Sequence, residues 1–146
     1  MLRMQHLSPS ERDIWVGFLR THDQLVRELD QELRREHDLP LSSYDVLVQL
    51  ESAPGGAMRM SDLAQSVLLS RSGLTRLVDR LEREQLLERR QCPEDARGSY
   101  AAITASGRAR LEEARSTHLA GVRRLFLDRL EEPERERLAA TWDRLS

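Results

Sequence analysis

The stretch from Pro9 to His37 constrains the rest of the chain. Ile14, Trp15, Phe18, Leu19, Leu25, Val26, Leu29 and Leu33 recur at i, i+3 and i+4 spacing, which lines one side of a helix with apolar residues. SPSE at 8–11 opens the stretch as a capping box, with Pro9 at the first helical position. Leu39-Pro40 closes it, because a proline disfavours helix at the residue before it. One helix over about 9–37 would extend roughly 40 Å at 1.5 Å per residue, against a radius of gyration of about 15 Å for a compact chain of this length. An apolar stripe that outruns its own fold predicts a second chain beside it.

The elements that follow are shorter. Ser42-Ser43-Tyr44-Asp45 is placed to cap a helix through about Glu51, carrying Val46, Leu47 and Leu50, and Ala53-Pro54-Gly55-Gly56 ends it in a turn. Met58-Arg59-Met60 is a brief extended piece before a third helix from Ser61 to Val67 or Leu68; Ser70 caps a fourth that runs to about Gln85. Leu87 to Cys92 and Tyr100 to Thr104 form two short strands around the turn-forming loop PEDARGS. Leu111, Ala114, Leu119, Val122, Leu125, Phe126 and Leu130 then mark a second long helix, which Glu131-Glu132-Pro133 breaks, and Leu138, Ala139, Trp142 and Leu145 a last short one. The fold class expected is mainly α with a small β-hairpin wing.

Charge is spread unevenly over these elements. Residues 1–58 hold 6 Arg against 10 Asp and Glu, residues 59–110 hold 10 against 7, and residues 111–146 hold 7 against 8. The basic segment is the middle one although the whole chain is at −2. A local excess of this kind attracts a polyanion or simply solvates a helix face. Every basic residue is Arg, as expected of biased base composition. No apolar run reaches the ~18 residues of a membrane span, and MLRMQHLSPSERD lacks the apolar heart of a signal peptide, so the expected location is the cytoplasm. A lone Cys92 excludes an intrachain disulfide and fits a reducing compartment. His6, His22, His37 and His118 are too far apart in sequence to suggest a metal site. No phosphate loop or nucleophile-base pattern supports an enzyme or a cofactor.

SRSGLTRLVDRLERE, residues 70–84, explains the basic middle. On a helical wheel Leu74, Leu77, Val78 and Leu81 share one face, while Ser72, Arg76, Asp79 and Arg83 cluster on the other, flanked by Thr75 and Arg80. With 61–68 just ahead, the pair has the length of a helix-turn-helix, whose second helix enters the major groove of DNA by its N-terminal residues. Ser70, Ser72 and Thr75 carry short hydroxyls suited to phosphates and base edges; Arg71 and Arg76 reach further and are able to grip guanine bidentately. Asp79, three residues after Arg76 and four before Arg83, is placed to orient those guanidinium groups. Arg89, Arg90 and Arg97 border a loop whose tip fits a minor groove, with Asp95 pinning Arg97 or capping the turn. A rival reading has the same arginines meeting an acidic protein partner in an interaction adaptor.

Residues about 9–145 resemble the MarR family of winged helix-turn-helix regulators. The most specific stretch is GLTRLVDRLEREQLLERRQCPEDARG, in which Asp95-Ala96-Arg97 and Gly98 stand where that family has its acidic-and-arginine wing motif. Thr104 and Gly107 follow at its "LT..G" position, with Ile103 replacing the leucine. The resemblance implies a winged helix-turn-helix lobe over 42–104 and a dimerisation lobe from 9–37 and 105–146. It also implies a homodimer that places two recognition helices in successive major grooves of pseudo-palindromic double-stranded DNA, with repression as the expected outcome. Family members commonly answer to small aromatic molecules, to cysteine oxidation or to metal. A ligand pocket implied in this way would draw on Trp15, Phe18, Leu19, His22, Tyr44, Leu47 and His118. Cys92 offers a redox alternative, its pKa lowered by Arg89 and Arg90, although peroxide-sensing relatives carry their cysteine where this chain has Ile14 and Trp15.

Overall fold

The computed structural model describes residues 6–67, 71–91 and 98–146, with the side chain of Arg71 outside that set. In chain order these residues form α1 (Pro9–His37), α2 (Leu41–Ser52), β1 (Ala57–Arg59), α3 (Met60–Ser66), α4 (Arg71–Arg83), β2 (Leu87–Gln91), β3 (Ser99–Ile103), α5 (Ala105–Leu125) and α6 (Glu132–Leu145). The mostly helical chain with one small antiparallel sheet is a winged helix arrangement.

The capping box holds at the start of α1. The Ser8 N–H donates to the Glu11 carboxylate at 2.8 Å and the Glu11 N–H donates to Ser8 Oγ at 3.2 Å. The Ser8 backbone N–H, and after it the Ser8 side chain, hold the Glu11 carboxyl below its usual pKa. At the other end Asp38 adopts a positive φ of 50°. Arg110 donates to the carbonyls of His37 at 2.6 Å and Asp38 at 3.3 Å, a cation where the helix dipole is negative.

Three boundaries differ from the sequence reading, each because a distant partner or a local turn intervenes. Helix α2 begins at Leu41, ahead of the expected serine cap, and its first N–H donates to Asp30 Oδ1 at 2.9 Å. Ser43 instead lies inside the helix, fully buried, and accepts a bond from Arg80 at 2.9 Å. The wing hairpin forms as expected, β2 pairing antiparallel with β3 from Leu87↔Ile103 to Gln91↔Ser99, but it gains a third strand, as β1 pairs antiparallel with the other edge of β3 from Ala57↔Ala102 to Arg59↔Tyr100. Helix α5 stops at Leu125, before the expected break, because Phe126 leaves helical geometry with φ −131° and ψ −67°. Pro133 then starts a helix, sitting in the first turn of α6 behind a Glu131/Glu134 capping box.

The chain divides into two units, one running up to Leu29 and resuming over Ala120–Ser146, the other Asp30–Leu119. The second holds the core: Leu33, Leu39, Val46, Leu47, Leu50, Leu63, Leu74, Val78, Leu81, Leu87 and Leu111 are almost wholly removed from water. In the first, α6 buries none of its residues, and Ile14, Trp15, Phe18, Leu19, Val26, Trp142 and Leu145 all stand exposed. Phe18 lies 6.1 Å from Trp15 and 6.0 Å from Trp142, ring centre to ring centre, so these side chains form one aromatic patch. No described helix is long and apolar enough to cross a membrane.

Candidate nucleic-acid interface

Helix α4 is anchored on one side only. Leu74, Leu77, Val78 and Leu81 are buried in the core of the second unit, while Ser72, Thr75, Arg76, Asp79 and Arg83 are exposed. Burial of that stripe fixes how the helix is rotated about its axis, and so presents the polar face to solvent.

The far end of α4 is joined to α5 without slack. After Arg83 the chain turns through Gln85 at φ 61°. Thr104 Oγ1 donates to the Gln85 carbonyl at 2.7 Å and accepts the Gly107 N–H at 3.0 Å, capping α5. The Thr104 N–H bonds the Leu86 carbonyl at 3.2 Å. A Cβ on Gly107 would meet that carbonyl oxygen at 2.0 Å, which gives the glycine of the threonine-glycine pair a steric cause.

The wing strand is tied to the helix by Arg89. Its guanidinium reaches Asp79 at 2.5 Å and Glu82 at 3.0 Å, and its backbone N–H donates to the other oxygen of Glu82 at 2.9 Å. Partial burial works against this charge, but the bonds and field of the two carboxylates prevail and raise its pKa. Asp79 therefore engages Arg89 across to β2, where the sequence reading had it orienting Arg76 and Arg83 along the helix.

The remaining candidate residues fall into separate settings. Arg80 is half-buried against Ser43, and its Nε has no partner among the described residues. Arg90 is exposed and bonded to Glu88 at 2.6 Å. Ser70, Cys92, Asp95, Arg97 and the side chain of Arg71 lie outside the described residues. Gly98, half-buried, borders a cleft of about 260 Å³ together with Arg59, Ser61, Thr75 and Ser99, over a floor that includes Ala64 and Leu74. Arg59, Ser61 and Ser99 were not among the sequence candidates. Their only signal was that Arg59 stands immediately before α3.

The residues proposed for a ligand pocket divide between the two units. Trp15, Phe18, Leu19 and His22 belong to the first, where Phe18 lies 6.4 Å from His22. Tyr44, Leu47 and His118 belong to the second. Leu47 is fully buried core. The rings of Tyr44 and His118 are 4.4 Å apart, and His118 Nδ1 is buried with no partner among the described residues. Burial lowers the pKa of His118, with Glu32 pulling it back up, and raises that of Tyr44. Among the described residues no group of three His, Cys, Asp or Glu is placed to hold a metal.

Residues 37–98 match the MarR family profile. AbsC, a MarR family transcriptional regulator from Streptomyces coelicolor, is 30% identical and superposes with a TM-score of 0.89 over 97% of this chain and 95% of its own. The chain belongs to the MarR family. Sco3205, another MarR family regulator from Streptomyces coelicolor, solved in complex with DNA, is also 30% identical, with a TM-score of 0.90 over 97% of this chain and 89% of its own. An uncharacterised helix-turn-helix transcriptional regulator of Bacillus cereus is 30% identical over 125 residues, covering 86% of this chain and 81% of that one. In this winged-helix fold α4 follows α3 as the second helix of the helix-turn-helix, and β2 and β3 are the strands of the wing.

Proposed function

We propose that the protein is a homodimeric, sequence-specific DNA-binding regulator that occludes promoter DNA as a repressor and is released by a small, aromatic ligand. The observation that carries DNA binding is the polar face of α4: Ser72, Thr75, Arg76 and Arg83 stand exposed on a helix whose opposite side is locked into the core. Short hydroxyls and a long guanidinium near the start of such a helix suit phosphates and base edges of the major groove. The DNA complex of Sco3205 supports the same use of this fold. Ser70, Arg71 and Arg97 complete the proposed contact set, Asp95 and Gly98 support the wing, and the place of action is the cytoplasm, where the promoter lies.

The dimer rests on the first unit. Exposed Ile14, Trp15, Phe18, Trp142 and Leu145 make an apolar surface that water disfavours and that a second copy of the chain would cover. Effector binding draws support from the aromatic residues left exposed or paired with histidine, Trp15, Phe18 and His22 in one unit and Tyr44 with His118 in the other. A ligand that changes the spacing of two recognition helices prevents both from fitting successive grooves.

The test is fluorescence-anisotropy titration of the protein against the duplex upstream of its own gene and a scrambled duplex, across a salt series. Preference for its own promoter, with log K falling by about 0.9 per log salt for each phosphate neutralised, supports the reading. Equal and feeble binding to every duplex tried sinks it.

A further inference from the structure

We propose that Arg80 is a positioning residue for DNA recognition, latched by the buried hydroxyl of Ser43 so that α4 presents its outer face at one angle. The inference rests on the DNA-binding reading above. The sequence offers Arg80 as a contact to DNA, one helical turn beyond Arg76. Its partners lie inward instead. Nη2 donates to Ser43 Oγ at 2.9 Å, and Nε is shut off from solvent with no partner among the described residues. Both carboxylates of α4 are engaged elsewhere, since Asp79 and Glu82 bond Arg89. A half-buried cation bonded to a neutral hydroxyl weakens folding relative to an apolar side chain of similar length.

Ser43 is out of place in the same way. Among the described residues, with tyrosine counted as aromatic, it is the one polar side chain buried with the core, at 0% exposure. The leucine stripe of α4 decides which side of the helix faces inward, but apolar packing is non-directional and tolerates a small roll or slide. A hydrogen bond prescribes both a distance and an angle. The bond from Nη2 to Ser43 Oγ therefore selects one roll of α4 among those that burial allows, a registry role for a polar group inside an apolar contact. Arg76 lies four residues before Arg80 and Arg83 three after, so the three follow one line along the helix. Anchoring the middle one by its tip sets the direction in which the other two, both exposed, leave the helix. Base edges are read through paired hydrogen bonds of defined geometry, whereas phosphate contacts carry no sequence information. A small roll of α4 thus forfeits preference among sequences before it forfeits general affinity.

Anisotropy titrations of three variants test the latch. Ser43→Ala removes no charge and lies where DNA has no access. It is expected to lower the ratio of own-promoter to scrambled affinity by about tenfold, the order of one base contact, with scrambled affinity and salt slope as in wild type. Because it also leaves the guanidinium unpaired, it melts earlier. The double variant Ser43→Ala/Arg80→Met replaces both partners by apolar groups and is expected to melt as wild type does or later, while the ratio stays low. A double variant that regains both stability and preference makes the pair a packing contact alone, and the proposal is overturned. If Arg80 instead touches phosphate, Arg80→Met weakens binding to both duplexes by one factor with a salt slope lower by about 0.9 per half-site, and Ser43→Ala prefers its promoter as wild type does. That outcome overturns it too. Wild-type preference in all three variants does the same and leaves DNA binding intact. Wild-type protein that binds every duplex equally and feebly overturns both readings.

Discussion

Arg89 on β2 and Asp79 on α4 are ten residues apart in sequence and 2.5 Å apart in space, with Glu82 taking the other arm of the same guanidinium at 3.0 Å. The pair makes the wing strand β2 and helix α4 one piece. An arginine that the sequence offers as a phosphate contact is occupied by two carboxylates of the neighbouring helix. The sheet and α4 share this tie in addition to their apolar packing, so loss of the ion pair should loosen the wing without unfolding the domain.

Arg89→Ala and Asp79→Asn are expected to weaken DNA binding evenly across sequences. In a double-mutant cycle followed by urea unfolding, the coupling should be about 0.5–1 kcal/mol, small because Asp79 is half exposed. Additive single mutants would show that the tie contributes nothing.

Arg76→Ala is expected to cost about 1–3 kcal/mol of operator affinity and to relax preference at particular base pairs, with no change in melting temperature, since Arg76 is exposed. Competition with a panel of single-base operator variants reads this directly. A uniform loss over the panel would move Arg76 from base edge to backbone.

Gly107→Ala should be severely destabilising, by about 3 kcal/mol or more, because the added methyl would lie 2.0 Å from the Leu86 carbonyl oxygen and 2.9 Å from Ile103 Cγ1. Chemical denaturation measures it. A near-neutral result would mean that α5 shifts along the sheet at little cost.

Phe18→Asp and Trp142→Asp each place a charge in the exposed aromatic patch of the first unit. Sedimentation equilibrium should find the wild-type chain dimeric and either variant largely monomeric at micromolar concentration. Dimers of unchanged strength would exclude this patch from the interface.

His118 is held neutral by burial, which lowers its pKa against the opposing pull of Glu32. As pH falls through the ordinary histidine value of 6.5, the unfolded chain takes up the proton before the folded one. The unfolded state then binds more protons, and stability declines until the folded ring is protonated as well. His118→Phe keeps a ring beside Tyr44 and removes this dependence. Between about pH 7 and pH 5 the wild-type melting temperature should fall further than that of the variant. Parallel curves would contradict it.

What the sequence made legible was whatever neighbours along the chain decide. The Ser8/Glu11 box and the leucine stripe bound α1 because both act within a few residues. The rotation of α4 followed from Leu74, Leu77, Val78 and Leu81 for the same reason. Contacts across the chain were harder to see. Asp30 caps α2 from eleven residues away, so Ser42 and Ser43 looked like the cap. Strand β1 is three residues long, too short to show a period, and gains its identity only from pairing with β3. Asp79 has arginines at helical spacing on its own element, yet its partner is on a strand. The site divided likewise: the exposed residues of α4 could be named in advance, and the Arg59 cleft, assembled from α3, α4 and the strands, could not.

The splice of Thr104, Gly107 and the Leu86 carbonyl behind α4 separates two kinds of inheritance. The pose of α4 is written on its hidden side and at its far end, and the vocabulary proposed for it on the side that faces outward. On the proposed reading, exchanging Ser72, Thr75 or Arg76 gives the protein a new address on DNA while the scaffold goes on pointing the same way.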